Sequence, residues 1–355
     1  MNIGRFVARA VVAVLAGAPA LAAAYYVSAD VPTDLAGVIC VPSQVVRYDG
    51  TTHGLALDLP DDVGIDALHK MDGGAWLFSA DAPFTVSGTT YDPRDVVRLS
   101  GTAYSRYFDG AAARIPEGVD LDALFLLGGD AGNLVFGVDV PTTVGKLAVE
   151  PADLVEVVGP GTFRMYFDAS TATSPIPPSV NVVAADVRAG LLVLTFDVPV
   201  ALSGSAFVPG ELVSWDGERF ALYSRDPAWP EGSVVGSMAF LAEPGEVLAT
   251  LRVAKSAADP RLLELTWKPS CSAGAEDYGI YEGSIGSWSS HAARVCTDDG
   301  GDLREIVRPG AGNRYYLVAA HNANDEGSLG RRSNGEERPV GETRCAATQS
   351  LSPCP

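Results

Sequence analysis

Short apolar runs separated by turn residues recur along most of the chain, and within the runs apolar and polar positions often alternate. Alternation over four to eight residues predicts half-buried β-strands. One stretch shows the pattern clearly, with strands predicted over 65–69, 75–81, 96–99 and 104–109. No window carries a persuasive amphipathic helix period, so the sequence predicts an all-β fold.

A three-part sequence motif, called the phrase below, occurs four times among these strands. One copy reads Asp81-Ala82-Pro83, then Pro93 with Asp95 two residues later, then Asp109. The opening aspartates of the four copies, Asp30, Asp81, Asp139 and Asp197, are separated by steps of 51, 58 and 58 residues. A fixed period of this size predicts a repeat architecture.

Four strands per repeat is the size of a propeller blade. The first copy lacks its leading strand, and residues 237–241, after the fourth copy, align with residues 122–126. We expect this late strand to complete the first sheet, because an unpaired edge would otherwise stay exposed. The sequence thus predicts a four-copy, propeller-like β-repeat ring over 25–245; the alternatives are stacked β-sandwiches or an open β array.

The phrase resembles repeats of secreted bacterial proteins in which a strand ending in Asp-Val-Pro leads to Asp-Val-Val and then to Tyr-Phe-Asp-Gly. The resemblance covers residues 25–242 and implies an extracellular β-repeat protein, but little about activity. The third and fourth copies drift, with Asp168-Ala169 and Asp226-Pro227 in place of Asp-Gly.

The pattern changes near residue 248, where strands are predicted over 262–267, 278–281 and 313–322. Their Leu-x-Leu-x-Trp, Tyr-x-Ile-Tyr and Tyr-Leu-Val-Ala-Ala stretches resemble a fibronectin type III domain over 248–345, followed by a tail over 346–355. The resemblance implies a two-sheet sandwich with Trp267 buried, serving as a spacer or binding module. We expect the ring and this domain to fold separately.

The first residues are typical of an export signal. Arg5 and Arg9 precede an apolar run over 10–21 and a small-residue site at 22–24, which predicts a secretory signal peptide over 1–24; a membrane anchor is the alternative. The net charge of −19 becomes more negative without the two arginines, and it disfavours nucleic acid and anionic membranes. We expect a secreted, extracellular protein without a membrane span after cleavage, with the periplasm or cell surface as alternatives.

Export also makes disulfides the expected state of the four late cysteines. Three pairings are open, and the shorter loops favour Cys271–Cys296 and Cys345–Cys354. Cys40, between Ile39 and Val41, is expected to be a free cysteine buried in a strand.

The recurring aspartates have three candidate roles: accepting backbone hydrogen bonds in turns, binding calcium, or acting on a substrate. The turn role is favoured, because Asp30, Asp81, Asp139 and Asp197 each stand just ahead of a strand end that is stopped by proline. At the second position of the phrase, Gln44 stands where other copies have Asp95 and Asp153, so charge is dispensable there in one copy. No cofactor is assigned, and calcium is the only ion considered. The weak candidates for a metal site are Asp81, Asp139, Asp298, Asp299 and Asp302.

No zinc-protease, nucleophile-elbow, phosphate-loop or dinucleotide motif occurs, so no catalytic residue is assigned. The four histidines are interpreted as surface or strand-end residues: His53 and His69 do not recur between copies, His291 is placed in a loop, and His321 ends a strand. The leading hypothesis is a secreted, non-catalytic binding or surface-interaction protein whose ligand is an unknown protein or carbohydrate. The alternative is a secreted hydrolase acting on polysaccharide at one face of the ring.

Overall fold

A computed structural model describes residues 24–351 apart from 50, 72–73, 128–129, 189, 241–243, 248–249, 271, 273–274, 276, 297–301, 323–324, 333–334, 342 and 347. All regular elements among the described residues are β-strands. The first twenty-four are β1 Tyr25–Ala29, β2 Thr33–Leu35, β3 Val38–Cys40, β4 Gln44–Tyr48, β5 His53–Asp58, β6 Ile65–Lys70, β7 Trp76–Ala80, β8 Phe84–Val86, β9 Thr89–Tyr91, β10 Val96–Ser100, β11 Ala103–Phe108, β12 Leu124–Leu127, β13 Asn133–Phe136, β14 Thr142–Val144, β15 Leu147–Val149, β16 Leu154–Gly159, β17 Thr162–Phe167, β18 Val182–Arg188, β19 Leu191–Phe196, β20 Val200–Leu202, β21 Ser205–Phe207, β22 Glu211–Trp215, β23 Phe220–Arg225 and β24 Val235–Phe240.

Sixteen of these strands build four antiparallel four-stranded sheets, which we call the first to fourth blades. In order they are β24-β1-β4-β5, β6-β7-β10-β11, β12-β13-β16-β17 and β18-β19-β22-β23. The strand named first in each blade is its inner strand. The inner strand β24 contacts the inner strands β6 and β18, and β12 contacts the same two strands. The inner strands therefore form a closed cycle, and the predicted four-bladed, propeller-like ring is confirmed.

The late strand closes the ring as predicted. β24 pairs with β1 in antiparallel register, with Tyr25 opposite Phe240 and Val27 opposite Met238. The hydroxyl groups of Ser28 and Ser237 lie 2.7 Å apart across this pair. The first blade is thus assembled from both ends of the repeat region.

Each blade also carries a small two-stranded hairpin between its second and third strands, which the sequence analysis did not separate. The pairs are β2–β3, β8–β9, β14–β15 and β20–β21. Ala36 and Gly37 connect the first pair with φ of 54° and 94°, and positive φ at both turn residues is the mark of tight hairpins. The segment from Val38 to Tyr48, interrupted at Pro42, therefore forms two strands, β3 in this hairpin and β4 in the blade.

The ring's hydrophobic core lies between blades. Val45 and Phe78 belong to the cluster between the first and second blades, and Leu77 and Phe136 to that between the second and third. Phe125 and Phe196, both fully buried, pack between the third and fourth. Burying one such side chain stabilises the fold by about 1.5–3 kcal/mol, so each blade depends on its neighbours.

The remaining strands form two sheets. They are β25 Arg252–Lys255, β26 Leu263–Thr266, β27 Asp277–Ser284, β28 Ser287–Val295, β29 Arg304–Val307, β30 Arg314–His321, β31 Asp325–Glu326 and β32 Thr348–Gln349. The sheets run β25-β26-β29 and β28-β27-β30-β31-β32. One core cluster joins them, with Trp267 packed 5.5 Å from Tyr278 between ring centroids. Trp267 is buried as predicted; the fibronectin type III assignment stays a prediction.

The sandwich meets the ring at the end of the inner strands. Arg188, the last residue of β18, forms an ion pair with Asp325 of β31, and both side chains are largely buried. The guanidinium of Arg188 also lies over the ring of Phe240, the last residue of β24. The sandwich therefore contacts this end of the ring through a buried charge pair.

The disulfide partners predicted for Cys296 and Cys345 are wrong. Cys296 and Cys345 are bonded to each other, with Cα atoms 5.0 Å apart and a sequence separation of 49. The returning chain lies beside β28, where Thr343 accepts a hydrogen bond from the amide of Ala293, and this brings Cys345 next to Cys296. The prediction chose the pairings that close the shorter loops, and it did not allow for a later segment that packs beside an earlier strand. Cys271 and Cys354 lie outside the described residues, and Cys40 is free and buried as predicted.

Peptide mapping of the protein without reduction should recover a fragment joining Cys296 to Cys345 and an unlinked Cys40. Cys345→Ser should lower the free energy of unfolding of the sandwich by about 2–4 kcal/mol, because the bond restricts the unfolded chain. Denaturant unfolding of wild type and variant measures this. A fragment joining Cys296 to Cys271 would contradict the assignment.

Candidate functional site

The central part of the repeated phrase is a proline turn that leads into the third strand of each blade. The turn over 92–95 has Pro93 at its second position and a hydrogen bond of 2.8 Å from the amide of Asp95 to the carbonyl of Asp92. The Asp95 carboxylate accepts hydrogen bonds from the amides of Asp92 and Gly110, at 3.1 and 3.0 Å. Asp153 does the same with Glu150 and Ala169. These carboxylates therefore hold the turn to the end of the fourth strand.

In the first three blades, the same turn joins the blade to the next one. The carbonyl of Pro42 accepts a hydrogen bond from the amide of Ile65, the first residue of the next inner strand, at 2.9 Å. Pro93 and Pro151 repeat this contact with Leu121 and Val182. The recurrent proline thus marks a joint between blades.

The opening aspartates hold the approach to the inner strands. The carboxylate of Asp139 accepts a hydrogen bond of 2.8 Å from the amide of Asp120, and that of Asp197 accepts one of 2.8 Å from Asn181. The Asp139 carboxylate thus accepts a backbone hydrogen bond, but the donor is the amide of Asp120 ahead of the inner strand and not the turn that follows Asp139. Asp81 lies against Gly64, where any Cβ would collide with its carboxylate.

These aspartates converge at one end of the ring, where the inner strands begin. We call the carboxylates of Asp30, Asp66, Asp81, Asp120, Asp122 and Asp139 the acidic mouth. Asp30 is close enough to Asp81 for their charges to interact, as Asp120 is to Asp81 and Asp139. Equivalent positions of different blades thus share one surface, at the end of the ring opposite the sandwich.

Crowding shifts the acid–base properties of the mouth. The pKa of Asp66 is raised far above its ordinary value, first by burial and then by the charges of Asp122, Asp120 and Asp30. Its protonated carboxyl hydrogen-bonds Asp122, whose own pKa burial also raises. Burial and the neighbouring Asp139 and Asp81 raise the pKa of Asp120 to about 6. The mouth therefore holds at least one carboxyl proton at neutral pH.

The metal candidates within the described residues lie in two separate parts of the molecule. Asp81 and Asp139 belong to the acidic mouth, and Asp302 accepts a hydrogen bond from the amide of Arg304 in the sandwich. Asp298 and Asp299 lie outside the described residues. Within the described part of the chain, no group of three or more His, Cys, Asp or Glu side chains is arranged to hold a metal ion.

His69 and His291 differ from their predicted surroundings. His291 lies in β28 and not in a loop, and it is buried, with Nε2 2.7 Å from the carbonyl of Pro339. Burial lowers the pKa of His69 to about 4, so its imidazole is neutral. His321 ends β30, as predicted.

His53 forms a polar contact that sequence reasoning missed. Its Nε2 lies 2.6 Å from the Asp226 carboxylate, and both side chains are almost fully buried. The other carboxylate oxygen of Asp226 accepts a hydrogen bond from the amide of Ala228. The His53 ring stacks on Tyr48, with centroids 4.8 Å apart. The only sequence signal is that His53 and Pro227 depart from the repeat.

Three shallow cavities follow one another beside this pair, and we call them together the first-blade groove. The cavity beside Trp229 measures 290 Å³ and shares Asp226 with a middle cavity of 530 Å³. The middle cavity shares His53 with a third of 550 Å³, which is lined by Trp76. The groove runs from the seam with the fourth blade to the second blade.

No protein-family model and no curated protein matches the chain. Among solved structures, it is similar to a candidate gluconolactonase at 13% identity and a TM-score of 0.27, over 65% of this chain and 67% of that one. It is also similar to YCF48 bound to D1 peptide at 7% identity and a TM-score of 0.26, over 65% and 57%. The extracellular domain of a candidate hybrid two-component system from B. thetaiotaomicron matches at 8% and 0.23, over 84% of this chain and 47% of that chain. Scores this low establish no shared activity or ligand.

The shared proton makes stability depend on pH. Asp66 binds a proton in the folded state that the unfolded chain releases, so this contribution to stability falls as pH rises from its ordinary 3.8 to about 9. Asp66→Asn keeps a donor toward Asp122 and removes the titration. At pH 8 it should therefore raise the free energy of unfolding by more than about 1 kcal/mol, the equivalent of a one-unit pKa shift.

Urea unfolding at pH 5, 7 and 9 measures the effect, with Asp61→Asn as a control because Asp61 is exposed. We expect the Asp66 variant to have a flatter pH dependence than wild type and the Asp61 variant to match wild type. Equal slopes for all three proteins would contradict the shared-proton interpretation.

Proposed function

We propose that this protein is a secreted, non-catalytic binding protein that docks a basic segment of a partner protein at the open end of its ring. The supporting observation is that exposed apolar residues of the repeated phrase surround the acidic mouth. We call this surface the crown face. Besides the mouth it comprises Val31, Ala82, Val140, Val198 and the prolines that follow them, Pro32, Pro83, Pro141 and Pro199.

The apolar part of the crown face is unusually open for β-branched residues. Val31, Val140 and Val198 are 55%, 39% and 37% exposed, although each follows directly on a mouth or opening aspartate. Exposed apolar side chains grouped with polar ones are typical of protein interaction sites. The adjoining prolines keep these segments rigid, which lowers the entropy lost on binding.

Charge favours a basic partner. Residues 25–245 contain 29 Asp and Glu against 11 Lys and Arg, whereas residues 248–355 contain 14 against 12. The acidic excess thus belongs to the ring, and at the crown face it attracts cations and repels nucleic acid. The ion pair of Arg188 and Asp325 lies at the opposite end, where the sandwich packs.

A location outside the cytoplasm is consistent with this role. A disulfide such as Cys296–Cys345 is stable in oxidising surroundings outside the cytoplasm. Among the described residues, no helix is long and apolar enough to cross a membrane. The signal peptide predicted over 1–24 and the absence of catalysis belong to the proposal, and a polysaccharide hydrolase stays the alternative.

Binding of a labelled peptide tests the proposal. A fifteen-residue peptide of Lys, Leu and Ala should bind at low salt with an affinity that falls at least tenfold between 20 and 300 mM NaCl, because the attraction is screened. The same peptide with Glu for every Lys should not bind. Val31→Ser combined with Val140→Ser should weaken binding at least fivefold, as should Asp30→Asn combined with Asp81→Asn.

Val158→Ser is the matched control, because Val158 is 42% exposed on the third blade away from the crown face. It should leave peptide binding unchanged. The proposal is wrong if the Lys peptide does not bind, or if Val158→Ser weakens binding as much as the crown-face variants do.

A further inference from the structure

The hairpin that joins β27 to β28 presents two large apolar side chains to solvent. Ile285 and Trp288 are 54% and 55% exposed, more than any other large apolar side chain described from residue 248 onward. One exposed apolar residue is ordinary, whereas two at the end of one hairpin are typical of an interaction site. We call these two residues, with the arginines that surround them, the hairpin tip; the arginines are Arg294, Arg308, Arg314 and Arg332.

An irregularity in the sheet places Trp288 at this exposed position. Between two successive paired positions, β27 advances by two residues and β28 by five. The extra residues of β28 form a bulge, and bulges redirect side chains at the expense of ladder hydrogen bonds. The Ser290 hydroxyl holds this bulge, because it accepts from the amide of Ser284 at 2.9 Å and donates to the carbonyl of Ser287 at 2.7 Å.

Buried groups fix the position of the Trp288 ring. The indole packs against Tyr315, with ring centroids 5.3 Å apart, and Gly283 leaves room for the tyrosine, which any Cβ there would overlap. The Tyr315 hydroxyl lies 3.1 Å from Nδ1 of buried His291, whose Nε2 lies 2.7 Å from the carbonyl of Pro339. Since a carbonyl only accepts, Nε2 carries the proton and Nδ1 accepts from the tyrosine. The indole is thus held before a partner arrives, which lowers the entropy lost on binding.

Guanidinium groups outnumber carboxylates beside these apolar residues. Glu282 lies 3.9 Å from Arg294 and 3.8 Å from Arg314, so one carboxylate is shared by two arginines. Arg294 also donates to the carbonyl of Arg308, which is exposed. These four residues together leave a net positive charge beside the hairpin.

The chain that returns beside β28 adds to this positive charge. Arg332 donates to the hydroxyl of Ser289, next to Trp288, and lies 3.9 Å from the carboxylate of Glu336. Burial lowers the pKa of His291, and the charges of Arg338 and Arg332 lower it further. The hairpin tip is therefore a basic and apolar surface on a protein whose net charge is −19.

The hairpin tip lies away from the ring. β27 begins opposite His321, at the end of the sheet where Asp325 meets Arg188 of the ring. It then runs for eight residues to Ser284, a length of about 23 Å. The crown face lies at the other end of the inner strands. The tip and the crown face of one molecule are thus far apart, and contact between them requires two molecules.

We propose that the hairpin tip of one molecule docks on the crown face of a second copy of this chain, so that copies associate head to tail. This inference rests on the crown-face proposal and names the partner of that surface. Ile285 and Trp288 complement the exposed valines of the crown face, and the arginines of the tip complement its carboxylates. Tryptophan, tyrosine and arginine are also the residues that most often dominate the energy of protein interfaces.

Charge excludes the symmetric arrangement through this surface, because two acidic crown faces repel each other. A contact between unlike surfaces leaves a free tip and a free crown face on every dimer, so further copies can add. A hairpin tip buries less surface than a standard interface of about 1,600 Å², so the association should be weak and concentration-dependent.

Sedimentation velocity of the full chain at about 10 and 300 μM tests the proposal. It is run in 150 mM NaCl, where a Debye length of about 8 Å screens the repulsion between whole molecules. The wild-type sedimentation coefficient should rise with concentration. Trp288→Ser, which alters only the tip, should weaken self-association at least tenfold. Val31→Ser combined with Val140→Ser, which alters only the crown face, should do the same.

An equal mixture of these two variants gives the sharpest result. Each variant keeps the surface that the other lacks, so the mixture should form one-to-one dimers and no longer chains. Val253→Ser is the matched control, because Val253 is 48% exposed in β25, in the other sheet of the sandwich. It should associate as wild type does, and thermal melts verify that all variants are folded.

Binding of the Lys peptide separates this inference from the crown-face proposal. Trp288→Ser should bind the peptide as tightly as wild type, because its crown face is unchanged, and excess peptide should dissociate wild-type assemblies. The head-to-tail contact is wrong if wild type stays monomeric at about 300 μM, if Trp288→Ser associates as wild type does, or if the mixed variants form no dimers. Peptide binding by a chain that stays monomeric would leave the crown-face proposal standing without this one.

Discussion

Pairing of β24 with β1 is the interaction on which the rest of the ring depends. The two strands are separated by about two hundred residues in sequence, and their serine hydroxyls meet at 2.7 Å. Without this pair the first blade would lack its inner strand, and β6 and β18 would each lose a neighbour. The exposed backbone groups of β1 would then form an open sheet edge. Closing a loop of this length costs entropy only once, whereas every blade gains packing from it.

Ring closure also explains why residues that recur along the sequence lie together on one surface. In the first three blades the carbonyl of the proline turn accepts a hydrogen bond from the chain that enters the next inner strand, so these blades are joined to their successors in the same way. Every copy of Asp-x-Pro is consequently delivered to the same end of the ring, where Asp66 and Asp122 crowd together and share a proton. The side chains of Val31, Val140 and Val198 are left outside. The positions of the acidic side chains thus follow from the requirements of folding. The exposed valine side chains, by contrast, are not needed for folding.

Much of this fold follows from local sequence. Period-two alternation located the blade strands, and alignment of residues 237–241 with 122–126 located the closing strand, observed as Val235–Phe240. The hairpins were missed because their strands are three residues long, too short for alternation to show. The Cys296–Cys345 bond was missed because it depends on the path of the returning chain. For the acidic mouth, the sequence showed that aspartates recur. It could not show that their side chains lie close together, because that depends on ring closure. His53 and Asp226 lie 173 residues apart, and His53 recurs in no other blade, so sequence offered no way to pair them.

Ring closure is tested most directly by a cross-link between the two ends of the repeat region. Ser28→Cys combined with Ser237→Cys places thiols where hydroxyls now lie 2.7 Å apart. On mild oxidation of the native monomer, the closed ring predicts a disulfide between these positions in nearly every molecule, found by peptide mapping. Ser79→Cys with Ser237→Cys, on separate blades, should stay unlinked. If the Ser28–Ser237 pair stays reduced in the native monomer, or links only between molecules, the closed ring is contradicted.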